Sequence, residues 1–290
     1  MSTVRSWGIW RVERDWTPES AAELEALGFD TLWIGGSRDN ALRTAELLLA
    51  ATRYLTVATG ILNVWSTDAD AVARSFHRLD ERFPGRFLLG VGSGHREAFQ
   101  DTYTRPYTAV SRYLDRLDAH DVPPERRILA ALGDRMVGLA AARSRGAHPY
   151  LVTPAHTAHA RELLGPAVYL APEQKVVLDR DPVTARSIGR PVVAEPYLRL
   201  ANYRNSLRTL GYTDAQMDHG GSDSLIDDLV VHGEPDTVRA RLEAHVEHGA
   251  DHVAVQLLMH PGRDPLEEFR ELAAVLDLRP DSGPPDRVQG

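Results

Sequence analysis

The sequence predicts an α/β fold, a (β/α)₈ TIM barrel with a helical insertion after the seventh strand, on three observations. Short β-branched or apolar runs alternate with longer amphipathic segments for roughly eight rounds, the rhythm of strands joined by crossover helices. The strand-like runs are nearly continuous in apolar residues, as parallel strands buried on both faces require. The chain has 290 residues, 43% of them hydrophobic, which suits one closed barrel carrying one insertion. The competing arrangement is a doubly wound open sheet.

The elements follow in order. SWGIW (6–10) reads as a strand, and TPESAAELEALG as a helix in which Thr17 caps, Pro18 takes the first position, Glu19 complements the dipole and Gly28 ends it. Ser20 holds the third helical position, so no capping box is expected. FDTLWIGG (29–36) is a strand, NALRTAELLLAATRY a helix, and LTVATGILNVW (55–65) a strand with a glycine inside it. DADAVARSFHRLDERFPG is helical, RFLLGVGSG a strand and RPYTAVSRYLDRLD a helix. The second half repeats the beat with RRILAAL, GDRMVGLAAARSRG, AHPYLV, TPAHTAHARELLGP and QKVVL, and closes with DHVAVQLLM and PLEEFRELAAVLDL.

Roughly 70 residues separate VVLDRD (176–181) from the last strand, far more than one crossover needs. They include EPYLRLANYRNSLRTLGY and the helix DTVRARLEAHVEHG, so the insertion belongs there, over the barrel top. No Pro/Ser-rich linker interrupts the chain, which predicts one domain over 1–278 and a disordered tail, RPDSGPPDRVQG, over 279–290.

Composition excludes several classes of chemistry. A formal charge of −8, from 33 basic and 41 acidic residues, argues against nucleic acid or an anionic membrane as the main partner. The absence of cysteine removes disulfides, thiolate catalysis and cysteine-ligated metals. Lys175 is the single lysine, which removes a Schiff base from nearly every position and a phosphate-loop lysine from the glycine run. MSTVRSWGIWRVERDW lacks the apolar segment of a signal peptide, and no run approaches the ~18 residues of a membrane span, so a cytoplasmic protein is expected.

Several places carry candidate chemistry. In FLLGVGSGHREAF (87–99), Gly90, Gly92 and Gly94 give G-x-G-x-G on the fourth strand, not the G-x-G-x-x-G of a first-strand dinucleotide site. Such glycines let backbone approach a ligand at the C-terminal end of a barrel strand, and His95 follows them; a plain turn with a satisfied histidine is the alternative. Gly133 opens a helix with Asp134, Arg135 and Met136, whose N–H groups and dipole suit an anion; Asp134 as a simple N-cap explains the pattern equally well. In LTVATGILNVW, Gly60 before Ile61 marks a bulge, and Asn63 and Trp65 fall near the strand end, facing a flat ligand or simply packed. Trp10 carries the same ambiguity, and Tyr107, near Tyr103 and Tyr113, either edges the pocket or packs a helix. His156 and His159, and His245, His248 and His252, bring a metal to mind, but no H-E-x-x-H arrangement accompanies them. Interleaved His, Glu and Arg read instead as a solvated helix face, so no metal is expected.

ATGILNVW, FHRLDERFPGRFLLGVGSGH, AALGDRM with LAAARSRGAHPYLVTPAHTAHARELLGP, and LAPEQKVVL resemble, in order over residues 5–276, the luciferase-like monooxygenase superfamily. Within it they look closest to a group of probable oxidoreductases dependent on coenzyme F420, a deazaflavin. The resemblance implies a (β/α)₈ barrel, usually a homodimer, with F420 at the C-terminal ends of the strands and flavin mononucleotide (FMN) as the alternative. It implies that Gly60 and Ile61 form a non-prolyl cis bulge against the ring, with Asn63 beside it. It implies further that Gly92, Ser93 and Gly94 border the cofactor and that the amides of Gly133, Asp134, Arg135 and Met136 hold its phosphate. His95 stands where relatives carry an acid thought to donate a proton, and Trp10, Trp65 and Tyr107 would line the substrate pocket.

Two departures qualify the carry-over. Asp134 replaces a proline that relatives often have beside the phosphate, and Gly35, Gly36 and Ser37 stand where several relatives place a histidine or acid. The implied activity is hydride transfer between F420 and a small organic substrate. An FMN-dependent monooxygenase and a barrel that binds a cofactor or metabolite without turnover are the alternatives.

Overall fold

In a computed structural model, the structure describes residues 6–95 and 105–279. The end of the glycine run beyond His95, Tyr103 and the tail from 280 lie outside the described residues.

Among the described residues, eleven strands form one sheet. They are β1 Trp7–Val12, β2 Thr31–Gly35, β3 Thr56–Thr59, β4 Leu62–Asn63, β5 Phe87–Gly92, β6 Arg127–Leu129, β7 Gly146–Ala147, β8 Tyr169–Leu170, β9 Glu173–Val176, β10 Val230–Val231 and β11 Val253–Leu257. Every pairing is parallel, from β11 through β1, β2 and β3 to β5, β6, β7 and β8. The ring closes through residues 169–176. Ala171 N–H donates to Ala147 at 2.9 Å and Glu173 N–H to Pro149 at 2.8 Å on one side, while the Pro172 carbonyl accepts from Ala254 at 2.9 Å on the other. Pro172 has no N–H, so β8 and β9 are one barrel strand broken at that residue. With β3 and β4 likewise split by a bulge, the barrel has the eight strands that the alternation predicts, and β10 is an extra strand beside β9.

The helices α1 Pro18–Ala26, α2 Arg43–Ala51, α3 Ala69–Arg82, α4 Pro106–Ala119, α5 Asp134–Arg143 and α6 Pro154–Leu164 follow the first six barrel strands. Four more, α7 Pro182–Ala194, α8 Ala201–Thr209, α9 Asp214–Met217 and α10 Asp223–Leu229, lie between β9 and β10; α11 Pro235–Glu247 and α12 Pro265–Val275 flank β11. At α1 the structure corrects the sequence reading, because a capping box is present. Thr17 Oγ1 accepts from Ser20 N–H at 3.1 Å and Ser20 Oγ accepts from Thr17 N–H at 3.2 Å. A serine hydroxyl makes the reciprocal bond usually assigned to Glu or Gln, since it needs only one acceptor within reach.

Three apolar clusters hold these layers. The largest lies between strands and helices, and a second packs Val193, Leu198, Tyr203, Leu207 and Ile226 against Val177, Val230 and Leu258 at the ends of β9, β10 and β11. The third is the barrel interior, to which Trp10, Trp33, Ala58, Leu88, Ile128, Ala171 and Ala254 each contribute from a different strand. After β7 the interior residue is His148, stacked on Trp33 with ring centroids 4.1 Å apart. The filled interior leaves the C-terminal mouth as the place for a site.

Candidate functional site

The mouth is built around the bulge between β3 and β4. The Gly60–Ile61 peptide is cis. Gly60 N–H donates to the Ile34 carbonyl at 2.7 Å, and its own carbonyl accepts from Trp10 Nε1 at 2.9 Å. The indole of Trp10 thus lies across the ends of β2 and β3. A Cβ on Gly35 would come within 2.1 Å of it, and one on Gly60 within 2.8 Å. The side chain absent from the end of β2 is therefore replaced in space by Trp10. A carboxylate stands nearby all the same, since Glu13 accepts from Ser37 Oγ at 3.0 Å.

Beyond the bulge, Asn63 pairs with Gly92, and a Cβ on Gly92 would sit 2.7 Å from Ala130 and 3.2 Å from Ile61. Gly92 is small because the wall is close-packed there. Asn63 Oδ1 accepts from Trp65 N–H at 2.9 Å, and Trp65 Nε1 donates to the Ser93 carbonyl at 2.9 Å. The structure so brings Ile61, Asn63, Trp65, Gly92 and Ser93 together as one wall, and Gly94, at φ +58°, turns the chain to half-buried His95.

Facing His95 are residues to which the sequence reading assigned no role. Tyr197, from the segment between α7 and α8, meets the imidazole edge-on with centroids 5.9 Å apart, and Tyr203 of α8 lies 5.6 Å from it. Tyr150, after β7, packs 5.4 Å from Tyr197 and 5.1 Å from Trp10. Beneath them Lys175 Nζ donates to Glu173 Oε1 at 3.0 Å and to Gln256 Oε1 at 2.9 Å, both charged side chains being fully buried. Burial pulls the ammonium below the usual lysine range and pushes the carboxyl up, and the ion pair opposes both shifts. One signal for this pair was available in the sequence: Glu and Lys two apart in a strand share a face.

The anion site predicted at 133–136 is the exposed start of α5. Among the described residues no side chain caps it, and its first helical amides have no i−4 carbonyl, although Met136 N–H donates to the Gly133 carbonyl at 2.9 Å. Nothing stands within 4 Å of a Cβ placed on Gly133, and Asp134 Oδ1 turns to His159 Nε2 at 2.9 Å. Arg135 lies over the ring of Tyr107, 4.9 Å from its centroid, so two residues assigned to different subsites are neighbours. Free amides, an arginine and open space fit a phosphate, and a glycine-walled bulge fits the edge of a flat ring.

The other histidines depart from the solvated helix face expected of them. His156 and His245 are buried: His156 donates through Nε2 to the Leu132 carbonyl after β6 at 2.9 Å, and His245 points into the seam between α6, α11 and β9. His245 bonds Thr157 Oγ1 at 2.7 Å and Gln174 Oε1 at 2.8 Å, and burial drives its pKa down to about 3. His252 is buried in the barrel floor against Ser6 and Trp33, while His159 and His248 do face outward. His148 donates through Nδ1 to the Ala171 carbonyl at 2.7 Å. Its Nε2 has no partner among the described residues, and burial lowers its pKa to about 4. Away from the mouth, a groove of about 330 Å³ runs between α7 and α10, but its Arg186 and Arg190 are already paired with Asp223 and Asp227.

Comparison with known proteins bears out the resemblance seen in the motifs. Residues 13–118 match the family model for luciferase-like monooxygenases. No curated protein matches the chain. Among solved structures, an F420-dependent secondary alcohol dehydrogenase in complex with an F420-acetone adduct is similar at 14% identity, TM-score 0.72, over 94% of this chain and 99% of that one. The coenzyme F420-dependent tetrahydromethanopterin reductase from Methanopyrus kandleri is similar at 18% identity, TM-score 0.64, over 92% and 96%. The oxygenating constituent of 3,6-diketocamphane monooxygenase from Pseudomonas putida, in complex with FMN, is similar at 13% identity, TM-score 0.70, over 97% and 100%. At these identities the likeness is one of fold.

Proposed function

We propose that this chain is an F420-dependent oxidoreductase that moves a hydride between the deazaflavin and a small organic substrate at the barrel mouth. The observation that carries the reading is the Gly60–Ile61 bulge, set between Trp10 and the Asn63–Gly92 wall and opening toward His95. The F420-dependent proteins of the same fold support it. When bound, a deazaflavin supplies a two-electron hydride carrier. Ile61 and Asn63 would border its ring, with Gly92, Ser93 and Gly94 along the edge. The amides of Gly133, Asp134 and Arg135, with the Arg135 side chain, would hold its phosphate, the Met136 amide being taken by the Gly133 carbonyl. Trp10, Trp65 and Tyr107 would shape the substrate compartment, and Tyr150, Tyr197 and Tyr203 exclude water from it. A carbonyl that accepts hydride needs one proton. His95 would give it from an imidazole nitrogen, and the reverse direction returns it there, since imidazole titrates near neutrality.

FMN-dependent oxygenation is the second reading, favoured by the FMN complex among the similar folds. Titration with F420 and, separately, FMN, followed by ligand fluorescence, decides between them. Tight binding of F420 alone is the expected result, and binding of FMN alone would replace the hydride reading by the monooxygenase. Binding of neither would overturn the phosphate assignment at Gly133 to Arg135. His95→Ala should keep cofactor affinity and lower turnover by roughly 100- to 10,000-fold, the range of general acid catalysis.

A further inference from the structure

The chain carries a single lysine, its other basic residues all being arginine, and that lysine is fully buried at the end of β9. Its neighbour Gln174 points to the opposite side, bonding His245 and the Leu229 carbonyl, so Glu173 and Lys175 share the interior face. An ammonium has three N–H donors, and three acceptors meet it: Glu173 Oε1, Gln256 Oε1 and the ring face of Tyr150, 4.0 Å from Nζ. The Tyr197 ring lies 5.5 Å away. The Tyr150 hydroxyl donates to the same Gln256 oxygen at 2.7 Å, and the other Glu173 oxygen accepts from Leu151 N–H at 2.8 Å.

Tyr150 belongs to the barrel, whereas Tyr197 belongs to the segment that crosses its mouth and packs on Tyr203 at 5.1 Å and on His95. We propose that Lys175 is a positioning residue, whose ammonium fastens Tyr197 of the crossing segment, and through it Tyr203, to the barrel wall and so holds the roof over His95. The role of His95 itself rests on the function proposed above. Cation–π attraction is strongest where water is excluded, as here. A guanidinium cannot substitute, because its planar fork brings five donors to a site with three acceptors and would bury two of them unpaired.

The test uses the full chain. Glu173→Gln/Lys175→Met removes both charges at nearly constant volume, and its fold is checked by circular dichroism. Diethylpyrocarbonate labelling mapped by mass spectrometry should then show His95 reacting about five-fold faster or more, the factor a cation–π contact of ordinary strength supplies. Labelling of exposed His77 and His248 should stay the same. Lys175→Arg should also loosen His95. In the wild type, acylation of amines should modify the α-amino group and spare Lys175. His95 labelling within two-fold of wild type in the folded double variant, or in Lys175→Arg, would overturn the roof assignment, as would acylation of native Lys175 at the rate of a free amine. These readouts need no cofactor, so failure of the wild type to bind F420 would overturn the function reading alone.

Discussion

Gly35 has no side chain because Trp10 occupies its place. The contact is 2.1 Å for a built Cβ, too close for any relaxation that leaves the indole where it donates to Gly60. Gly35→Ala is therefore an overpacking change, expected to cost about 1 to 3 kcal/mol in urea unfolding. Trp10→Phe should recover part of that loss, giving a measurable coupling in a double-mutant cycle. A Gly35→Ala variant as stable as wild type would mean that the indole is not fixed there. From sequence, Gly35, Gly36 and Ser37 read as standing where relatives place a histidine or an acid, with no sign of what fills the space. The tryptophan responsible lies 25 residues earlier, and only parallel pairing of β1 with β2 brings the two together.

Among the elements, α5 and β9 carry the charged groups of the site. The start of α5 offers amides and Arg135 to an anion but also exposes the Asp134 carboxylate, held by His159. Asp134→Asn should tighten binding of a phosphate-bearing cofactor by roughly two- to five-fold at low salt, the usual worth of one charge at a helix N-terminus, with a smaller gain at high salt. Fluorescence titration at two ionic strengths checks it. On β9, Glu173→Ala leaves Lys175 as an uncompensated buried charge and should destabilise by about 3 to 5 kcal/mol, whereas Glu173→Gln/Lys175→Met should restore most of the stability. Urea midpoints of the three proteins decide this. Helical starts were legible from local pattern, down to Thr17 and Pro18, because a cap involves neighbours in the chain. The extent of β7 was not: AHPYLV reads as a strand, yet the regular strand is Gly146–Ala147, with further backbone bonds only at His148 and Pro149, and His148 and Tyr150 turn into the interior and the mouth.

At the scale of the whole molecule, burial holds imidazoles neutral within the packing, most strongly His148 inside the barrel and His245 outside it. Burial lowers both, to about 4 and about 3, while in the unfolded chain each sits near 6.5. Above pH 6.5 neither state is charged and the folded protein keeps its full stability. As pH falls below 6.5 the unfolded chain takes up protons that the folded chain refuses, so stability is lost progressively toward pH 4. Each histidine contributes on the order of 3 kcal/mol to that loss. Urea unfolding at pH 7.5, 6 and 5 should show the decline, and His148→Phe should flatten its slope.

The sequence by itself determined the alternation of strands and helices, the glycines that end β5 and break β3, the helix that opens at Asp134, and the family that these motifs resemble. Those are local properties, set by periodicity and by residue types at short spacing. Tertiary structure decided which distant residues meet: Trp10 with Gly35 and Gly60, His245 with Gln174, and Lys175 with Tyr150, Gln256 and Tyr197. Closing a barrel converts positions a hundred residues apart into neighbours across one interior. A charged pair in a fully buried strand acquires its partners only when the ring is closed.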